Sequence, residues 1–207
     1  MKHPWKVWRT WIVAAAIAAP LALLLHELAH LVAYMGYGFP SPVLHYNRAS
    51  FQGAETFWRY VRLGDFAAAE KIVPIGQAAA ASALAPLVTY LTILAASAIA
   101  TRRRSPFAIA FGLASNIRVL PGVLVLLVTV LGGSASTGDD EQHVAFLTGT
   151  PEMALILIGL LIMVISVMWL IQYIPAGRRT VALLGMLIGV VAGLEIYSAV
   201  VGPLLLP

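Results

Sequence analysis

Five stretches of this sequence are long and apolar enough to cross a lipid bilayer, and that limits the fold more than any other feature. They run near 11–36, 72–100, 105–131, 152–174 and 180–206. A hydrocarbon core of about 30 Å takes roughly 20 helical residues to cross. Lipid offers no partner to a free backbone N–H or C=O, so the spans are expected to be helices that satisfy those groups internally. The expected fold class is an all-α integral membrane protein with about five transmembrane helices, residues 1–207 forming one membrane-embedded domain. Composition agrees, with 60% hydrophobic and 11% charged residues against about 25% charged in soluble domains.

The basic residues between the runs carry topology. Lys2, Lys6 and Arg9 precede the first span, Arg102, Arg103 and Arg104 separate the second and third, and Arg178 and Arg179 separate the fourth and fifth. In a five-helix plan these clusters share one side, which the positive-inside rule makes cytoplasmic. The loop 132–151 then lies outside and holds Asp139, Asp140 and Glu141 without a Lys or Arg. Trp5, Trp8 and Trp11 suit an interfacial aromatic belt. Met1–Arg9 with the Ala/Leu run after it looks like a signal peptide, but the apolar stretch continues to about Tyr37 and is expected to be a retained helix. The net charge of +4 is small and divided among these clusters, so no nucleic-acid partner is expected. The plan suits a bacterial inner membrane with the N-terminus cytoplasmic.

The segment 38–71 breaks the pattern. It contains Gly38, Pro40, Pro42 and Gly53, an alternating stretch at Val43–Tyr46, and seven charged residues. It reads as a short β-hairpin or re-entrant segment followed by an amphipathic helix around 54–70, with an ordinary outer loop as the competing reading. In the fifth span Gly185, Gly189 and Gly193 form a small-residue face for close helix approach.

Chemistry enters at His26-Glu27-Leu28-Ala29-His30, an HExxH pattern within the first span. Four residues apart on a helix, the two imidazoles leave from one face and can reach one metal ion. Glu27 is placed to take a proton from a zinc-activated water and return it to a leaving group. Ionisable residues at a helix centre in lipid cost on the order of 2.5–3.5 kcal/mol on insertion scales, so three in five positions need a shared reason. A zinc site supplies one; a polar cluster bonded to neighbouring helices is the competing reading. No cysteine is present, which excludes thiolate ligands and a thiol nucleophile.

A catalytic zinc usually takes three protein ligands. HELAH lies about 25 Å along the helix from Arg9, at 1.5 Å per residue, so it falls on the same outer side as Gly138-Asp139-Asp140-Glu141-Gln142-His143. Asp140 is the first choice for the third ligand, then Asp139, then His143; His3 and His45 are the other histidines. Asp139 or Asp140 could instead cap a helix starting near Glu141. Asn116 and Arg118 sit mid-way along the third span. Either could donate to a substrate carbonyl or oxyanion, or Arg118 could pair with Glu195. Pro121 and Gly122 could break the helix beside them.

HELAH in an early span, a hairpin-like segment after it and a later aspartate together resemble the site-2 protease class of intramembrane zinc metalloproteases. Asn116 through Pro121 also looks like that class's Asn-x-x-Pro segment, although no Asp-Gly follows it here, which suggests a divergent branch. The likeness spans roughly residues 11–145 and implies hydrolysis of peptide bonds in membrane-spanning or membrane-associated protein substrates. The hairpin 40–53 could then pair with an extended substrate strand. The alternatives are a non-proteolytic membrane metal-binding protein and a zinc hydrolase acting on a lipid-linked substrate.

Overall fold

A computed structural model describes residues 4–133 and 139–206. Lys2 of the first basic cluster, His3 and Gly138 lie outside the described residues. Among the described residues five helices are long and apolar enough to cross a membrane: Trp5–Gly36, Ile75–Arg103, Pro106–Val130, Glu152–Ile171 and Ala176–Leu205. The expected all-α architecture with a small hairpin after the first helix is therefore present.

In chain order the elements are α1 (Pro4–Gly36), the strands β1 (Val43–His45) and β2 (Arg48–Ser50), α2 (Ala54–Arg62), α3 (Phe66–Glu70), α4 (Ile75–Arg103) and α5 (Pro106–Ser115). A 3₁₀ turn (Asn116–Val119) leads into α6 (Leu120–Val130), followed by α7 (Asp140–Thr148) and α8 (Glu152–Ile171). A second 3₁₀ turn (Ala176–Arg178), α9 (Arg179–Ile196), a π turn (Tyr197–Val201) and α10 (Gly202–Leu205) complete it.

The structure refines two expectations. The third span is interrupted at Asn116–Val119, just ahead of Pro121. Proline has no N–H for the preceding turn and favours the first turn of a helix, so α6 restarts there. The single amphipathic helix expected over 54–70 is two helices. Gly64 adopts φ 74° and the Asp65 N–H bonds back to the Tyr60 carbonyl, a left-handed C-terminal cap. Asp65 then caps α3 by accepting from the Ala68 N–H at 3.0 Å.

The chain forms two compact units. The first comprises Met1–Leu25, Thr89–Arg118 and Leu161–Pro207. Its core is alanine-rich, with Ala15, Ala18, Ile109, Leu170, Ile174 and Ala182 buried together. The glycine face of α9 lies against α1: a Cβ on Gly185 would meet Trp11, on Gly189 the Ile12 carbonyl, and on Gly193 the Ala16 backbone. Pro20 cannot donate to the Ala16 carbonyl one turn earlier, and Gly193 packs over that group.

The second unit comprises His26–Val88 and Val119–Leu160. Here β1 and β2 pair antiparallel, with Val43 opposite Ser50, Leu44 opposite Ala49 and His45 opposite Arg48. Its core is aromatic. Tyr34, Phe39, Phe51 and Phe57 are buried, with ring centroids of successive neighbours 4.9–6.0 Å apart. Phe57 and Val61 are the buried stripe of α2.

The α1–α9 approach yields a test. Gly189→Leu should destabilise the protein by about 3 kcal/mol, because backbone rather than a movable side chain blocks the new atoms. Gly177→Ala, with open space around its Cβ, should leave thermal unfolding in detergent unchanged.

Candidate metal centre

His26 and His30 lie on one face of α1, and α7 brings Asp140 to them. All three are buried, at 2%, 6% and 8% exposure. The Nε2 of His26 is 2.8 Å from Oδ2 of Asp140, and the Nε2 of His30 is 3.1 Å from Oδ1. One donor atom from each residue falls within 4.8 Å of the others. Burial opposes ionisation of Asp140, but the hydrogen bonds from His26 and His30 outweigh it and hold the carboxyl well below the usual carboxylate range.

The donor set suits a divalent ion. Ligand atoms around a tetrahedral zinc at about 2.0–2.1 Å lie about 3.3 Å apart, close to the two His–Asp spacings. Nδ1 of His30 is 3.0 Å from the Ala81 carbonyl. Donation to that oxygen fixes the ring and leaves Nε2 as the ligating nitrogen, the usual outer-shell arrangement of a metal-bound histidine. This buried His26–His30–Asp140 group could hold a metal ion.

Local sequence explains why Asp140 rather than Asp139 arrives here. Asp139 is the N-cap of α7, accepting from the Gln142 N–H at 3.2 Å. That leaves Asp140 as the first helical residue. His143, one turn further on, stacks on Trp58 of α2 with centroids 3.8 Å apart and planes within 17°. Burial lowers the His143 pKa, against the pull of Asp140 and Asp139. The stack docks α7 on α2 and so positions the carboxylate.

Glu27 is 5% exposed, and its Oε2 accepts from the Ala49 N–H of β2 at 2.9 Å. Since that N–H points away from β1, Leu44 and Ala49 form a non-hydrogen-bonded pair, and the outer edge of β2 faces Glu27.

The sequence-derived candidates divide between the units. His26, Glu27, His30, Asp139, Asp140 and His143 belong to the second. Asn116 and Arg118 belong to the first, as does Glu195. The Nδ2 of Asn116 donates to the Gly112 carbonyl at 2.8 Å and its Oδ1 accepts from Ser166 at 3.1 Å, so its amide fastens α5 to α8. His45 lies in β1. Sequence reasoning missed Trp58, the Ala49 amide and the Ala81 carbonyl. Only Trp58 left a trace, as an aromatic residue on an amphipathic helix. Comparison with protein-family models, curated proteins and solved structures finds no match in any of the three, so the reading of the site rests on its own geometry.

Asp140→Ala should reduce metal affinity by on the order of 100-fold or more, read by elemental analysis of purified protein. Asp139→Ala should retain the metal and cost about 1 kcal/mol as a lost cap. Metal should be released on acidification, because both imidazoles must be neutral to bind; retention at low pH would contradict ligation by His26 and His30.

Proposed function

We propose that this chain is an intramembrane zinc metalloprotease of the site-2 protease class, hydrolysing peptide bonds in membrane-spanning or membrane-associated proteins. The observation that carries the reading is a buried two-histidine, one-aspartate donor set with the Glu27 carboxylate one residue from the first ligand. Imidazole and carboxylate donors without thiolate are compatible with zinc, and a glutamate directly after the first histidine is the HExxH arrangement of zinc hydrolases. Zinc, when bound, lowers the pKa of water and polarises a carbonyl oxygen.

The chain's own residues supply the proton traffic. The Ala49 N–H holds Oε2 of Glu27, which directs the carboxylate while Oε1 takes the proton from the attacking water. The same carboxyl later delivers that proton to the leaving amine. Asp140 has no part in this transfer, since its carboxylate would serve as the third ligand beside His26 and His30.

The hairpin offers a place for the substrate. With its N–H held by Glu27, Ala49 leaves its carbonyl on the outer edge of β2, and an extended peptide donating to that carbonyl would arrive next to the general base. A helical substrate must unwind locally before its backbone can pair in this way. The basic clusters give this reading its orientation, with the N-terminus cytoplasmic in a bacterial inner membrane.

Two variants test the proposal on a membrane-embedded reporter peptide. Glu27→Gln should keep the metal and lose cleavage by about 10²–10⁴-fold, the usual contribution of general acid–base catalysis. Cleavage equal to the parent's would end the catalytic assignment, and retained metal without proteolysis by the unaltered chain would favour a binding role. Ala49→Pro leaves the β1–β2 ladder intact but removes the N–H that meets Glu27. It should lower cleavage at least ten-fold with metal content unchanged.

A further inference from the structure

The first unit contains a cavity of about 330 Å³ that the metal centre does not use. Three cations line it, each from a different part of the chain: Lys6, Arg104 and Arg178. Lys6 lies in the first turns of α1, Arg104 follows α4, and Arg178 precedes α9. All three sit at ends of membrane-spanning helices, the level at which lipid headgroups lie.

Among the described residues none of the three makes an ion pair. The one described acidic residue of this unit is Glu195. It lies sixteen residues beyond Arg179 along α9, about 24 Å at the helical rise. By contrast Arg179, adjacent to the cavity residue Arg178, is engaged: its Nε donates to the Ile174 carbonyl at 3.2 Å. Arg104 also holds φ 47°, a conformation that glycine adopts freely and arginine at a cost. Beneath the basic rim the lining is apolar, with Trp11 and Ile109 both buried.

We propose that this cavity binds a phosphate-bearing anion, with Lys6, Arg104 and Arg178 around the phosphate and the apolar floor beneath it. Guanidinium groups match phosphate oxygens in pairs and an ammonium adds a point charge. Basic pockets between spans at the membrane surface take anionic lipid headgroups on the same grounds. The apolar floor fits a lipid, whose glycerol and first methylenes follow the phosphate inward. Free phosphate shares the recognition chemistry but has nothing to place on Trp11 and Ile109.

Native mass spectrometry of the purified full chain, offered phosphatidylglycerol and phosphatidylcholine together, tests this. The chain should retain phosphatidylglycerol selectively, and Arg104→Gly and Arg178→Gln should each weaken retention about five-fold. Arg104→Gly also suits the backbone at that position, so a loss there is not a folding defect. Should Arg178→Gln unfold, Lys6→Gln at an exposed position gives the same reading. Arg102→Gln with Arg103→Gln removes neighbouring charge outside the cavity and should leave retention intact. Displacement of the lipid by millimolar inorganic phosphate would assign the site to free phosphate, and persistence would assign it to the lipid. Equal retention of the two lipids, or equal loss in the Arg102/Arg103 control, would overturn the proposal.

Discussion

A carboxylate taken out of water costs several kcal/mol unless its charge is met by nearby donors, and the second unit is organised around meeting that cost at Asp140. Two imidazoles on successive turns of α1 present Nε2 to its two oxygens. The arrangement requires α7 to arrive at a fixed depth and rotation, and the Asp139 cap and the Trp58–His143 stack supply both. The stack completes a run of rings that starts at His30 and Tyr34, passes through Phe39, Phe51 and Phe57, and ends on α7. Aromatic packing here locates a charge as well as filling space.

The two units solve packing differently. In the first, helices approach closely because glycine and alanine remove the side chains between them, as at Gly189 and Gly193. Lipid offers no hydrophobic gain for helix association, so such contacts depend on dispersion at short range. The second unit has bulky rings, short helices and a hairpin around its buried polar cluster. A polar centre needs side chains held in one rotamer, and stacked rings restrict rotamers better than alanine does.

Much of the architecture was legible because membrane insertion imposes a coarse length and polarity rule on the sequence. The five spans and the grouping of HELAH with the 139–143 cluster follow from it, whereas the Gly and Pro residues and the alternation at Val43–Tyr46 left the hairpin as one of two readings of 38–71. Placing HELAH and the acidic loop on one side needed only the basic clusters and helix rise. Asp140 is the first choice over Asp139 and is the one beside the histidines, but the coarse rule did not decide between them, because a cap and a ligand use the same side chain and differ by one step of helix register. The Ala49 and Ala81 contacts were invisible for another reason: they are backbone groups, available at any residue type. The split between α2 and α3 was encoded in Leu63-Gly64-Asp65, but hydrophobic spacing on both sides concealed it.

His26 and Asp140 stand 114 positions apart in the chain, and two complete spans, α4 and α5–α6, separate them. The donor set is thus unfinished while the protein is being threaded into the bilayer. Only when α7 has emerged behind the third span does the carboxylate close on the waiting imidazoles. A nascent or truncated chain carries His26, Glu27 and His30 without the carboxylate that completes the cluster. Because this clasp ties a long loop whose closure carries an entropic cost, the buried cluster depends on three spans being in place and leaves the last two, Glu152–Ile171 and Ala176–Leu205, to follow.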